Sequence, residues 1–397
     1  MKLLPFCAAL AAGEACGLIC ANFAPLWPFF VGLAVLVVLF GHGLAVRGWP
    51  LVAVLLLGCA LALQTQVARE QLFRHRFWLR EARSFERPGV AAELDAVATR
   101  LEPVRADFSR RLGLGLAHDR AAADLNRAIL LGERQRLPRR TKRLFVEAGT
   151  LHVFAISGLH IMILAKVLFY LLILLCVPVR WVGLAAIPLL WGYTWMIGAP
   201  PSAVRATVMA SFYFSAPFFW RRPNLLVSWE LTFLTVHVVA PMKLFDVGNA
   251  LSFAVMLAIA LWCGYGPRIR NKVLSNLCFS AVAWSAGMPI AAHVFGRVTP
   301  GGLLANLVLI PVAGMSVVSG ILGVLASFVS DSLAAHLNNA AALFTNAMVG
   351  VSAAVASLPG ANFEVPRWSV AQCVAWYALI LLVLYLVRSI HRRRHVF

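Results

Sequence analysis

Apolar stretches long enough to cross a lipid bilayer recur along this chain, separated by short polar connections and one long one. Three open it, near residues 3–22, 26–45 and 49–66. Nine more follow, near 150–176, 181–198, 203–220, 225–241, 247–264, 273–293, 300–327, 332–357 and 368–388. Crossing about 30 Å of hydrocarbon takes roughly 20 apolar residues in a helix. Lipid offers no partner for backbone N–H and C=O groups, so such runs fold as helices. The short alternating segments of a membrane β-barrel are absent. The pattern predicts an all-α polytopic membrane protein with about 10–12 transmembrane helices, some of them re-entrant or broken.

One stretch breaks the rhythm. Residues 68–145 hold 18 Lys and Arg against 10 Asp and Glu, and no run there could span. Within it, residues 123–149 show helical periodicity. Leu125, Ile129 and Gly132 recur at i, i+4 and i+7, and Leu137, Leu144, Phe145 and Ala148 make a second apolar stripe. Pro138 suits the first turn of that second helix. Its other face carries Arg139, Arg140, Lys142 and Arg143. A basic amphipathic helix of this kind lies on anionic headgroups or touches a polyanionic substrate.

Composition agrees with the pattern and rules out an ordinary soluble domain: 61% of residues are hydrophobic and only 13% charged. The net charge of +19 orients the chain. With the N-terminus inside, twelve crossings return the C-terminus inside. Arg47, Arg180, "WRR" at 220–222, "GPRIRNK" at 266–272 and "RSIHRRRH" at 388–395 then all face the cytoplasm. The basic loop 67–147 falls outside, which the rule tolerates because long loops are largely exempt from it. Membrane lipids are the first partner this charge implies. The eight cysteines are scattered through apolar segments with no CxxC pair, so neither a metal site nor a disulfide framework is expected, and no cofactor is. The opening "MKLLPFCAALAAGEACGLIC" resembles a signal peptide, but two further spans follow at once, so it is read as a first transmembrane helix.

Seven ionisable residues fall inside predicted spans: Glu14, His160, Lys166, Arg205, Glu230, His237 and His293. Each costs roughly 3 kcal/mol or more in hydrocarbon, so each is a candidate for function. Tilt or snorkelling brings Glu14 and Lys166 towards an interface. Arg205 reads either as a headgroup anchor or as a functional cation. In "TLHVFAISGLHIMILAK" (150–166), Ser157 and His160 share a face if the helix is continuous. Gly158 between them permits close packing or marks a break whose half-helix ends line a cavity.

Catalysis is weakly supported. "AISG" at 155–158 resembles the serine motif of rhomboid-type intramembrane proteases, with His237 or His293 as candidate base, but Ala155 stands where that motif has glycine. No GxxxxGK[ST] phosphate loop and no HxHxDH-type cluster occur. The chain is therefore expected to have no ATPase, nuclease or other catalysis of its own.

Four stretches carry a resemblance to the ComEC competence proteins, inner-membrane channels for DNA uptake in natural transformation. "AILLGERQRLPRRTKRLFVEAGTLHVFAISGLHI" (128–161) resembles that family's "LLLGDR…L…AG…H…AISGLH" segment. "APPSAVRATVMA" (199–210) resembles "PSxxRA", and "PMKLFDVGNALSF" (241–253) resembles "P…LFDxGFQLSF". "MPIAAHVFGRVTPGGLLANLVLIPVAG" (288–314) resembles "P…FG…GLLANLLLVPL".

The resemblance implies a core that passes single-stranded DNA inward across the bacterial inner membrane. Its implied partners are a separate DNA receptor and a cytoplasmic motor ATPase; a separate nuclease and a second copy of the chain are further candidates. Residues 1–66 would be N-terminal helices, 67–127 an Arg/Glu-rich loop in place of an OB-like domain, and 128–397 the channel core. No metallo-β-lactamase-like domain follows the last span, so a core-only version is expected. Ser157, Gly158, His160, Ser202, Arg205, Asp246, Ser252 and Asn306 map onto the family's motifs as channel-lining or core positions. Arg139, Arg140, Lys142 and Arg143 are the expected DNA contacts at the outer mouth. Asn249 and Ala250 replace the Phe and Gln of "GFQLSF", which puts a polar contact there in doubt. The alternative function is a secondary transporter or flippase for a small or lipid-linked anion, and the remote one an intramembrane serine hydrolase.

Overall fold

A computed structural model describes Cys7, residues 9–11 and residues 88–380 apart from 155, 241–242, 244–245 and 268. The predicted spans 3–22, 26–45 and 49–66, with Glu14, lie outside the described residues apart from Cys7 and 9–11, as do the 67–87 stretch and the basic tail.

The protein is an all-α polytopic membrane protein. Among residues 88–150, the helices are α1 (Pro88–Arg111), α2 (Arg120–Leu131) and α3 (Arg139–Glu147). Each of the nine apolar runs predicted from residue 150 onward contains a helix among the described residues. These are α4 (Gly158–Leu174), α5 (Val179–Met196), α6 (Pro201–Ser215), α7 (Leu225–Val239), α8 (Val247–Tyr265), α9 (Lys272–Phe295), α10 (Gly301–Ala326), α11 (Asp331–Ala356) and α12 (Val370–Ile380). Strands β1 (Arg297–Val298) and β2 (Phe363–Glu364) pair antiparallel, held by an Arg297–Glu364 ion pair at 2.8 Å.

Among the described residues, four helices, α8 to α11, are long and apolar enough to cross a membrane unaided. Others are short. The 15 residues of α6 or α7 rise about 22 Å, less than the hydrocarbon thickness, so an end of each falls within the layer or near its edge.

The chain folds into two compact units. One takes residues up to Ser109 together with Ile156–Ala250; the other takes Arg110–Ala155 and everything from Leu251. The expected core 128–397 thus contributes to both. In the first unit α6 is the hub, packed against α4, α5 and α7. Thr194 and Thr207 share a hydroxyl hydrogen bond of 2.7 Å, and the Trp191 indole donates to Ser211 at 3.2 Å, joining α5 to α6 through polar groups. Gly183 lies so close to the Phe214 carbonyl that any Cβ would collide with it.

In the second unit α10 and α11 form a hairpin. Buried positions on α11 step by four and three: Ala334, Asn338, Ala341, Thr345, Met348, Ser352 and Val355. The buried residues of α10 are mostly small, among them Ala305, Ala313, Ser316 and Gly323, and Gly323 lies against Asn338 and Leu337 of α11. This seam lets the two backbones approach, which is how helices associate in lipid.

Residues 110–150 pack onto this hairpin. In α2 nearly every side chain from Ala122 to Leu131 is buried, against α10 and α11. Gly132, read from the sequence as part of an apolar stripe, instead ends α2 in the left-handed conformation (φ 71°), where glycine carries no steric cost. Leu125, Ile129, Leu137, Phe145 and Ala148 are buried as the periodicity expects.

Candidate functional site

The segment around Ser157 is broken. Leu151–Phe154 is a single 3-10 turn, Ser157 is extended (φ −112°, ψ 175°), and α4 begins only at Gly158. The His160 Nδ1 lies 3.3 Å from the Ser157 backbone nitrogen and 3.2 Å from its Oγ. A backbone N–H can only donate, so Nδ1 accepts and the neutral ring carries its proton on Nε2. This is a capping box with histidine in the position usually held by Glu or Gln. The Ile156 carbonyl, released by the break, accepts from the Ser202 hydroxyl at 2.7 Å. A Cβ on Gly158 would meet only the Ala206 Cβ at 3.8 Å, so close packing does not demand glycine there.

One turn beyond Ser202 on α6 stands Arg205, 8% exposed. Such burial does not suit a headgroup anchor. Its Nη2 donates to the Gly248 carbonyl at 3.2 Å, and its charge interacts with the Asp246 carboxylate. Asp246 caps α8 by accepting the Asn249 N–H at 2.7 Å. The Asn249 amide nitrogen in turn lies 3.1 Å from His237 Nε2, and His237 Nδ1 lies 2.8 Å from the Phe233 carbonyl. A carbonyl only accepts, so Nδ1 carries the proton and Nε2 accepts from Asn249. Both side chains are buried, His237 at 0% and Asn249 at 2%. The Asn249 that departs from the family pattern therefore makes a polar contact of its own.

Three of the motif stretches are thus brought together at the ends of α4, α6, α7 and α8. The arrangement places a buried guanidinium, a capping carboxylate and a neutral histidine among released backbone groups. Both ring nitrogens of His237 are engaged, one with the Phe233 carbonyl and the other with Asn249. Among the described residues, no group of His, Cys, Asp and Glu could hold a metal ion.

The remaining predicted residues lie in the second unit. Arg139, Arg140 and Arg143 are exposed on α3, Lys142 is half-buried, and Arg143 pairs with Glu147 at 2.8 Å. Phe145 on the opposite face is fully buried, so the helix is one-sided as its pattern predicts. Ser252 and Asn306 are half-buried. The predicted set is therefore divided: Ser157, Gly158, His160, Ser202, Arg205 and Asp246 share one unit, and the basic helix, Ser252 and Asn306 belong to the other. Of the other ionisable residues, Lys166 and His293 are exposed and Glu230 is buried.

Sequence reasoning passed over a buried polar network in the second unit. Asn126 donates to the Asn338 carbonyl at 3.3 Å, Thr345 to Asn126 Oδ1 at 3.4 Å, and Asn338 to the Arg111 and Leu114 carbonyls at 2.8 and 3.1 Å. Thr150 and Ser352 share a bond of 3.3 Å. The signal was present: Asn338, Thr345 and Ser352 recur every seventh residue in one span.

A family model described as competence protein matches residues 129–389, about two thirds of the chain and nearly all of the described membrane helices. The chain belongs to the competence protein family. It is 26% identical over 206 residues to ComE operon protein 3 of Bacillus subtilis (strain 168), covering 52% of this chain and 26% of that protein. It is 25% identical over 218 residues to the uncharacterized protein YcaI of Escherichia coli (strain K12), covering 51% of this chain and 29% of that one. The matched stretch is thus less than a third of either relative's length. No solved structure matches.

Proposed function

We propose that this protein is the membrane core of a channel that admits single-stranded DNA to the cytoplasm during natural transformation. The observation that carries this is the family match over 129–389, which falls on the membrane helices themselves. Two physical features support it. The exposed guanidiniums of α3 suit a phosphate backbone, and the polar cluster around Arg205 offers buried cationic and hydrogen-bonding groups where an anion would otherwise meet hydrocarbon.

In this proposal the chain resides in the bacterial inner membrane with its C-terminus in the cytoplasm, and has no catalysis of its own. A separate DNA receptor delivers the substrate, a motor ATPase draws it in, and a separate nuclease supplies the single strand. Arg139, Arg140, Lys142 and Arg143 contact DNA at the outer mouth; Ser157, His160 and Arg205 border the path.

The test is a transformation assay in a deletion strain that scores DNA bound at the cell surface separately from DNA that has entered. Surface binding should persist while entry is lost, and the wild-type gene should restore it. Normal entry in the deletion strain overturns the proposal.

A further inference from the structure

We propose that residues 111–150 cross the membrane alongside the α10–α11 hairpin, carrying Arg120, Arg127 and Arg136 to membrane depth on a polar face. This rests on the reading of the hairpin as membrane-spanning.

The contacts of this segment run from one end of the hairpin to the other. At its start, Arg111 donates to Ser327 at 2.8 Å and stacks over the Phe328 ring at 4.0 Å, both at the hairpin's turn. The Arg111 and Leu114 carbonyls accept from Asn338, and Gly115, with φ 80°, lies against Ala335. Further along, Asn126 meets Asn338 and Thr345, and Leu116, Ala122 and Ala123 cluster with Ala342. At its end, Thr150 meets Ser352, and Gly149 faces Thr299 and Gly302 at the open end of the hairpin. Asn338 and Ser352 alone are separated by about 21 Å of helix axis, and the turn lies further still. If α10 and α11 cross the bilayer, Arg111 and Thr150 stand near opposite faces.

The charged side chains of the segment can be accommodated at that depth. Arginine facing lipid at this depth is strongly disfavoured, whereas irregular backbone and charge are tolerated where they line a polar cavity. The segment has such a cavity. A space of about 370 Å³ is lined by Gly113, Arg120, Asp124, Arg127 and Arg136 among others. Asp124 holds Arg127 at 3.1 Å, and Glu133 holds Arg136 at 2.8 Å. Apolar and amide groups face the hairpin, and the guanidiniums face the open space. The chemistry such a face suits is a phosphodiester chain. A 67–147 loop lying wholly outside, as the long-loop exemption allows, then gives way to a segment whose Arg111 end is cytoplasmic. With three spans before it, the added crossing keeps the C-terminus inside and places the N-terminus and Arg47 outside, the reverse of the placement read from the charge pattern.

The test is sided labelling in a cysteine-free, full-length background. Single cysteines replace Arg110, Arg143, Val329 in the hairpin turn, and Leu358 beyond α11. A membrane-impermeant maleimide is applied to spheroplasts and, separately, to inside-out vesicles. Arg110→Cys should label from the same side as Val329→Cys, and Arg143→Cys from the same side as Leu358→Cys, which is the opposite one. If Val329→Cys and Leu358→Cys label from opposite sides but Arg110→Cys and Arg143→Cys from one side, the crossing is overturned and the spanning hairpin stands. If Val329→Cys and Leu358→Cys label from one side, the hairpin does not span and both fall.

Discussion

The His160 imidazole closes the start of α4 on Ser157, accepting its backbone N–H at 3.3 Å while lying 3.2 Å from its hydroxyl. Capping boxes use Glu or Gln for this acceptor. His160→Gln should therefore keep the break and the thermal midpoint of the detergent-solubilised protein. His160→Leu leaves the Ser157 donor unmet and should lower stability by about 1 kcal/mol. Equal loss for both substitutions would show that the ring acts through something other than its acceptor nitrogen.

Glycines in the core divide into those that packing requires and those it does not. Gly158→Ala places a methyl at ordinary contact distance, 3.8 Å from Ala206, and should be neutral or slightly stabilising in a helix. Gly183→Ala drives a methyl into the Phe214 carbonyl, which is backbone and cannot turn aside. It should cost about 1–3 kcal/mol, read as a lower melting temperature and yield.

These outcomes mark how far the sequence could be read. Each of the nine apolar runs after residue 150 contains a helix among the described residues because lipid leaves the backbone no other way to satisfy its hydrogen bonds. Hydropathy could not place the start of α4 at Gly158. That boundary depends on Ser202, 46 residues away, accepting the task of bonding the Ile156 carbonyl. Arg205 likewise read equally as a headgroup anchor or a functional cation until its Gly248 contact, 43 residues distant, was visible. Such pairings are made by tertiary structure and leave no local periodicity. The Gly132 cap was misread as part of a stripe, although glycine directly after an apolar helical run commonly ends it.

Asn249 and His237 form a closed pair, so their energies should not add. Asn249→Leu leaves His237 Nε2 without its donor, and His237→Leu leaves the amide without its acceptor. Each alone should cost about 1–3 kcal/mol. The double substitution should cost less than their sum, giving a coupling of about 0.5–2 kcal/mol in a double-mutant cycle of chemical denaturation. Strict additivity would mean that the two side chains are neighbours without a working hydrogen bond.

The α3 cations should matter for DNA and little for the fold. Arg143 is 82% exposed in its side chain and its Glu147 pair is a surface one, contributing about 0–1 kcal/mol at most. Neutralising Arg139, Arg140 and Arg143 together should leave the melting temperature unchanged. For every phosphate deprived of its cation, the log–log slope of single-strand binding against salt should flatten by about 0.7. Unaltered affinity and slope in fluorescence anisotropy with an oligothymidylate would remove α3 from the DNA path.

Asn338 is the residue on which the second unit's packing should depend most. Its amide nitrogen bonds the Arg111 and Leu114 carbonyls at a place where helix hydrogen bonding has ended, and its own backbone carbonyl receives Asn126. Gly323 on α10 has no side chain at the point where a Cβ would strike the Asn338 amide, so α10 leaves room for it. Asn338→Leu keeps the volume but takes the amide donor from two half-buried carbonyls and forces a branched carbon against Gly323. Of the two, only the Arg111 carbonyl keeps a second bond, from the Leu114 N–H at 3.2 Å. Desolvation of those groups sets the expected loss at about 2–4 kcal/mol, more than a surface polar change could give. Asn126→Leu removes one donor and spares the two loop carbonyls, so it should cost about 1–2 kcal/mol. Protease sensitivity around residues 112–118 should rise in Asn338→Leu and not in Asn126→Leu, because only the former frees the Arg111–Leu114 turn from the hairpin.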